Sequence, residues 1–87
     1  MSRNIIAILR GIKPEEVLDI VHVIVDSGIT QVEVPLNSPR AFESIELIRD
    51  EFKGSIQFGA GTVTDVEQVE ILSSIGVDFI VSPNFEY

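Results

Sequence analysis

The sequence predicts a parallel α/β fold of order β-α-β-α-β-α-β, on three observations. Four short, mostly β-branched runs recur every 22 to 26 residues or so, the period of a strand-helix unit and too long for hairpins. Between each pair lies a helical apolar pattern with its own start and stop signals. Connections of that length make neighbouring strands parallel with right-handed crossovers. Four strands and three helices can form a small open sheet or half of an eight-stranded (β/α)8 barrel, which in full needs roughly 200–250 residues. The pattern suits the half barrel, as one domain over residues 1–87.

The elements follow in order. Ile5–Leu9 reads as the first strand. Pro14 stands where a first helical residue tolerates it, and Glu15 and Glu16 complement the helix N-terminus. Val17, Ile20, Val21 and Ile24 then form one apolar stripe, and Gly28 stops the helix. Gln31–Leu36 is the second strand. Ser38-Pro39 reads as cap and first residue of the second helix; Ala41, Ile45, Ile48 and Phe52 form its face and Gly54 closes it. Ser55–Gly59 is the third strand. Thr64-Asp65-Val66-Glu67 is a capping-box pattern, followed by a face of Val66, Val69 and Leu72 and a stop at Gly76. Asp78–Ser82 is the fourth strand, and Asn84–Tyr87 begins the loop after it.

Composition removes several function classes. Six Lys and Arg against fourteen Asp and Glu leave 6 − 14 = −8, the wrong sign for a nucleic-acid or anionic-membrane surface. A hydrophobic content of 45% and a positive mean hydropathy exclude intrinsic disorder. With no cysteine and one histidine, a disulfide framework, a thiol nucleophile and ordinary zinc chemistry are excluded. The apolar stretch Ile5–Leu9 is far too short for a signal or a membrane span, so a soluble, cytoplasmic chain is expected. A domain of this length buries about 60–65% of its unfolded surface and is marginally stable without help.

In parallel architectures chemistry gathers at the carboxyl ends of the strands. Glu33 is the most informative residue there. Alternation along the second strand puts Val32, Val34 and Leu36 on one face and Gln31, Glu33 and Pro35 on the other. The valine face suits the helices, so Glu33 points to the sheet's other side, with Ala7 and Gly59 expected beside it. A carboxylate there is costly unless it is paired, protonated or functional. It reads either as a general acid/base with a pKa raised by burial or as the ion-pair partner of a cation such as Arg10. Arg10, ending the first strand, can instead fork onto a substrate carboxylate or phosphate.

Gly59-Ala60-Gly61-Thr62 reads as a small-residue turn after the third strand, where backbone can approach a ligand and Thr62 adds a hydroxyl. It is neither a dinucleotide fingerprint nor a Walker loop. Asn37 can bind a substrate oxygen or simply make a turn, and Ser82 and Asn84 share that ambiguity. Lys53 lies at the sheet's opposite end. Lys13 sits in a polar loop without the desolvation that an activated amine needs. His22, mid-helix, reads as a flank or partner-contact residue.

Four stretches in register along the chain resemble the 2-keto-3-deoxy-6-phospho-sugar-acid aldolases, the class I phosphogluconate and phosphogalactonate enzymes. They are Ile6-Ala7-Ile8-Leu9-Arg10-Gly11-Ile12, Val32-Glu33-Val34-Pro35-Leu36-Asn37-Ser38-Pro39, Gly59-Ala60-Gly61-Thr62-Val63 and Ile80-Val81-Ser82-Pro83-Asn84. The E-V-P-L-N-S-P string is similar to the phosphogalactonate branch; the phosphogluconate branch usually has Thr in place of Pro35 and Arg in place of Asn37.

The resemblance implies a (β/α)8 TIM barrel, usually a homotrimer, with no metal or organic cofactor. It implies reversible cleavage of a phosphorylated 2-keto-3-deoxy sugar acid to pyruvate and glyceraldehyde 3-phosphate through a lysine Schiff base. Glu33 matches the family's catalytic proton shuttle. Arg10 and Thr62 match positions lining the substrate's carboxylate end, and Asn37 is a further substrate-binding match. The family's Schiff-base lysine lies on the sixth strand and its phosphate site after the seventh and eighth. Neither Lys13 nor Lys53 matches that lysine, so no efficient Schiff-base turnover is expected from these 87 residues alone. Two other readings stand beside it. One is a catalytically inactive half barrel that oligomerises or binds through its open strand edges. The other is a small open receiver-like domain, against which the first strand ends in Arg-Gly where acidic residues would cluster.

Overall fold

The computed structural model describes residues 5–82. Its elements are β1 (Ile6–Ile8), α1 (Pro14–Asp26), β2 (Gln31–Pro35), α2 (Ala41–Phe52), β3 (Gln57–Gly61), α3 (Val66–Ile75) and β4 (Phe79–Ile80). The four strands form one sheet in the order β1-β2-β3-β4, every neighbouring pair parallel. This is the predicted alternation. Among the described residues β1 and β4 are the sheet's edges.

Strand parity divides the sheet into two unlike faces. Val32, Val34, Phe58 and Ala60 are buried in one apolar core with Val17 and Val21 of α1, Ile45 and Ile48 of α2, and Leu72 and Ile75 of α3. Glu33 faces the other way, in register with Ile8 of β1 and Gly59 of β3. Ala7 pairs with Val32 and packs against the core, so the expectation that it lies beside Glu33 is corrected: Ile6 and Ile8 hold that face.

Several boundaries differ from the sequence reading. β3 runs through Gly61, two residues past the expected end at Gly59, so Ala60-Gly61 is strand and not turn; a segment with two glycines lacks the β-branched signature that marks a strand. α2 begins at Ala41 and not at Pro39, because Arg40 takes a left-handed conformation (φ 46°) that interrupts any earlier helical run. The cap of α3 is Asp65, whose carboxylate accepts a 2.9 Å bond from the Gln68 N–H, while Gln68 Oε1 accepts from the Thr64 N–H at 2.8 Å. The cap therefore sits one residue later than Thr64 and Glu67 suggest, and the expected capping box is not formed: Gln68 reaches back to the N–H before the cap and not to that of Asp65 itself.

The helix faces are also adjusted. Ile20 is 37% exposed, and α1 covers the sheet with Val17, Val21 and flanking Leu18, Ile24 and Val25. On α3, Val66 and Val69 are exposed and only Leu72 and Ile75 are buried. The His22 Nε2–H donates a 2.6 Å hydrogen bond to the Glu51 carboxylate, and the ring lies 4.8 Å, centre to centre, from Phe52, a surface staple between α1 and α2. No helix among the described residues is long and apolar enough to cross a membrane.

Candidate active site

The carboxyl ends of β1, β2 and β3 enclose one cleft of about 470 Å³, lined by Ile8, Arg10, Gly11, Glu33, Pro35, Asn37, Thr62 and Val81. All four residues singled out from the sequence, Glu33, Arg10, Thr62 and Asn37, are on its wall. Pro83 and Asn84 lie outside the described residues. Lys13 is the exposed N-cap of α1 and Lys53 the exposed C-cap of α2; neither lines the cleft.

Glu33 is buried, 7% exposed, because it sits mid-strand between two paired neighbours. Its own carbonyl accepts a 2.9 Å bond from the Leu9 N–H. This ladder bond brings the end of β1, and so Arg10, alongside it. Burial raises the Glu33 pKa above the ordinary 4.5, and the positive field of Arg10 partly opposes that rise. Among the described residues no side chain forms an ion pair or hydrogen bond with the Glu33 carboxyl. The ion-pair explanation of Glu33 thus finds no contact here, although Arg10 is close enough to be felt. Desolvation without a pairing partner favours the protonated form of a carboxyl, so Glu33 holds its proton to higher pH than a solvated glutamate does.

Two backbone features shape the space around it. A Cβ on Gly61 would collide with the Glu33 carboxyl, so glycine at this position is what lets the side chain lie there. Thr62, next along, has φ 57°, a left-handed conformation costly for a β-branched residue. The chain leaves β3 there with Thr62 on the cleft wall. Asn37 is exposed in the turn after β2, where its side chain makes no hydrogen bond among the described residues.

Two contributors were not legible as such. Gly61 shares the Glu33 face by strand parity, a signal hidden while Ala60-Gly61 reads as a turn. Ser38, read as a helix cap, is 5% exposed and bonds across to β1's end, as described below. Among the described residues no three His, Asp or Glu side chains gather as a metal site would need.

A parallel βα sheet with its polar cleft at the strand tips defines a ligand-binding α/β fold, and the comparisons with known proteins match it to the N-terminal part of TIM-barrel aldolases. Residues 1–87 match the protein family described as "Aldolase: KDPG and KHG aldolase", and the chain belongs to that family of class I aldolases. It is 48% identical over 80 residues to the 2-dehydro-3-deoxy-6-phosphogalactonate aldolase of Escherichia coli (strain K12), covering 92% of this chain and 39% of that protein. A solved structure described as "Native KDPGal structure" superposes with a TM-score of 0.89 at 47% identity, over 93% of this chain and 39% of that one. The Legionella pneumophila KDPG aldolase, solved with pyruvate captured at low pH as a covalent carbinolamine intermediate, superposes at 0.84 with 27% identity, over 95% of this chain and 40% of that one. The chain thus spans about two fifths of the length of the relatives it matches, and its βα units match the N-terminal part of the aldolase structures.

Proposed function

We propose that these residues form the amino-terminal half of a (β/α)8 aldolase that cleaves 2-keto-3-deoxy-6-phosphogalactonate, or its gluconate epimer, to pyruvate and glyceraldehyde 3-phosphate. The observation that carries the proposal is Glu33: a buried carboxyl without a partner among the described residues, its pKa raised, on the wall of a strand-tip cleft that also holds Arg10, Asn37 and Thr62. The galactonate reading draws on the higher identity to the Escherichia coli enzyme and on the string Glu33-Val34-Pro35-Leu36-Asn37-Ser38-Pro39.

The chemistry assigns a role to each residue. A lysine amine beyond the described residues adds to the C2 ketone of the substrate, and loss of water gives the Schiff base. Glu33 in its protonated form supplies the proton that lets the carbinolamine hydroxyl leave as water. As carboxylate, it takes the C4 hydroxyl proton while the C3–C4 bond breaks. That electron pair passes into the iminium, leaving an enamine at C3, and glyceraldehyde 3-phosphate departs. Glu33 then returns the proton to C3, and hydrolysis releases pyruvate. A group that alternates between acid and base works best with a pKa near the operating pH, the direction in which burial moves Glu33. Arg10 supplies a fixed positive charge for the substrate carboxylate, and Thr62 and Asn37 supply hydrogen bonds to its oxygens.

The test is to treat the full-length protein with pyruvate and borohydride and map the reduced adduct by peptide mass. The expected adduct is on a lysine outside residues 1–87, with Lys13 and Lys53 unmodified. An adduct on either of those two, or none at all, overturns the assignment.

A further inference from the structure

The two loops that carry Arg10 and Asn37 are joined by one buried hydroxyl. Ser38 Oγ accepts a 3.2 Å hydrogen bond from the Gly11 N–H and lies 3.5 Å from the Leu9 carbonyl, to which it donates. Its own backbone is fixed, because the Ser38 N–H donates to the Pro35 carbonyl at 3.0 Å. The hydroxyl therefore reaches from a rigid point at the end of β2 and brackets Arg10 on both sides, through Leu9 and Gly11. Gly11 needs such a partner. It lies past the end of β1 in a left-handed turn (φ 72°), where its N–H has no strand-ladder partner. The 3.2 Å contact is the stronger of the two bonds; the 3.5 Å contact is at the limit of a useful one.

Ser38 lies off the cleft wall, while Arg10 and Gly11 lie on it. A side chain that does not face the cleft, yet holds the backbone of one that does, acts on ligand through that neighbour. We propose that Ser38 is a positioning residue that latches the β1 loop to the β2 loop and so fixes Arg10 for the substrate carboxylate. The substrate half of this proposal rests on the aldolase reading above; the latch itself does not.

Two measurements test it separately. Amide hydrogen exchange on Ser38→Ala reads the latch: Gly11 protection falls about tenfold or more, with protection in β2 and β3 unchanged. Steady-state kinetics of the full-length protein read its consequence. Ser38→Ala raises KM for the keto acid about tenfold with kcat altered less than about threefold, and adds nothing further to KM in an Arg10→Ala background. Ser38→Cys, similar in volume but a weaker hydrogen-bonding group, falls between Ser and Ala and serves if the alanine variant does not fold. Unchanged Gly11 protection overturns the latch. A KM rise that persists undiminished in the Arg10→Ala background, or a loss of thermal stability with KM unmoved, overturns the positioning role. A wild-type protein without aldolase turnover refutes the substrate half, while the exchange result still decides the latch.

Discussion

The carboxyl of Glu33 occupies the space that a Cβ on Gly61 would fill. The relationship crosses from β2 to β3 on the face away from the helices, and it explains the glycine at position 61. Gly59 is tight for a different reason: a Cβ there would strike the backbone oxygen and ring of Phe79 on β4. One glycine makes room for a movable side-chain end, and the other for a neighbouring backbone.

The two glycines should therefore respond differently to the same added methyl group. Gly61→Ala pushes the Glu33 carboxyl aside and is expected to lower turnover by roughly 10²-fold while shifting the melting temperature by only a few degrees. Gly59→Ala forces β3 and β4 apart and is expected to cost about 1–3 kcal/mol of stability. Thermal melts and turnover on both variants check this, and equal behaviour would remove the distinction.

Stability should depend on pH through Glu33 in a definite direction. Burial raises its pKa above 4.5 in the folded chain, so the native state holds this proton more tightly than the unfolded one. The stability so gained is complete below the unfolded value and is lost as pH rises through the folded value. Glu33→Gln has no such loss. Its melting temperature should match wild type near pH 4, to within about a degree, and exceed it near pH 7. A gap independent of pH would contradict a desolvated carboxyl.

Arg10 lowers the Glu33 pKa that burial raises. Arg10→Ala should therefore do two things together: raise KM for the keto acid and move the limb of the pH–rate profile governed by Glu33 to higher pH. An unaltered KM with lost stability would restore the ion-pair explanation of this arginine.

Ser44, on the buried face of α2, is 0% exposed, and its hydroxyl has no hydrogen-bond partner among the described residues. Ser44→Ala should raise stability by about 1 kcal/mol in urea unfolding. A loss of similar size would mean that the hydroxyl is satisfied.

The strand-helix period and the alternation around Glu33 were readable because both are local: side chains two residues apart share a face, and Val32 and Val34 announce which face is dry. Residues whose role depends on distant chain were not. Ser38-Pro39 looks like a helix start within its own few residues, but the Ser38 hydroxyl is taken by Gly11, 27 positions earlier. Val66 and Val69 lie at helical spacing, and that spacing says nothing of whether another element covers them; among the described residues both are exposed. The third strand is read as ending at Gly59, with Ala60-Gly61 in the turn, because the strand's continuation rests on clearance for Glu33 at Gly61, which glycine's own propensity does not reveal. Arg10, Asn37 and Thr62 were found as strand-tip residues. The sequence left open whether Arg10 pairs with Glu33, a question of side-chain distance.

The most direct measurement is turnover of 2-keto-3-deoxy-6-phosphogalactonate by the full-length protein carrying Glu33→Gln, with circular dichroism to show that the fold is kept. A fall of roughly 10²–10⁴ in kcat with an unchanged spectrum is predicted. Wild-type kcat in a folded Gln variant would contradict proton transfer by Glu33.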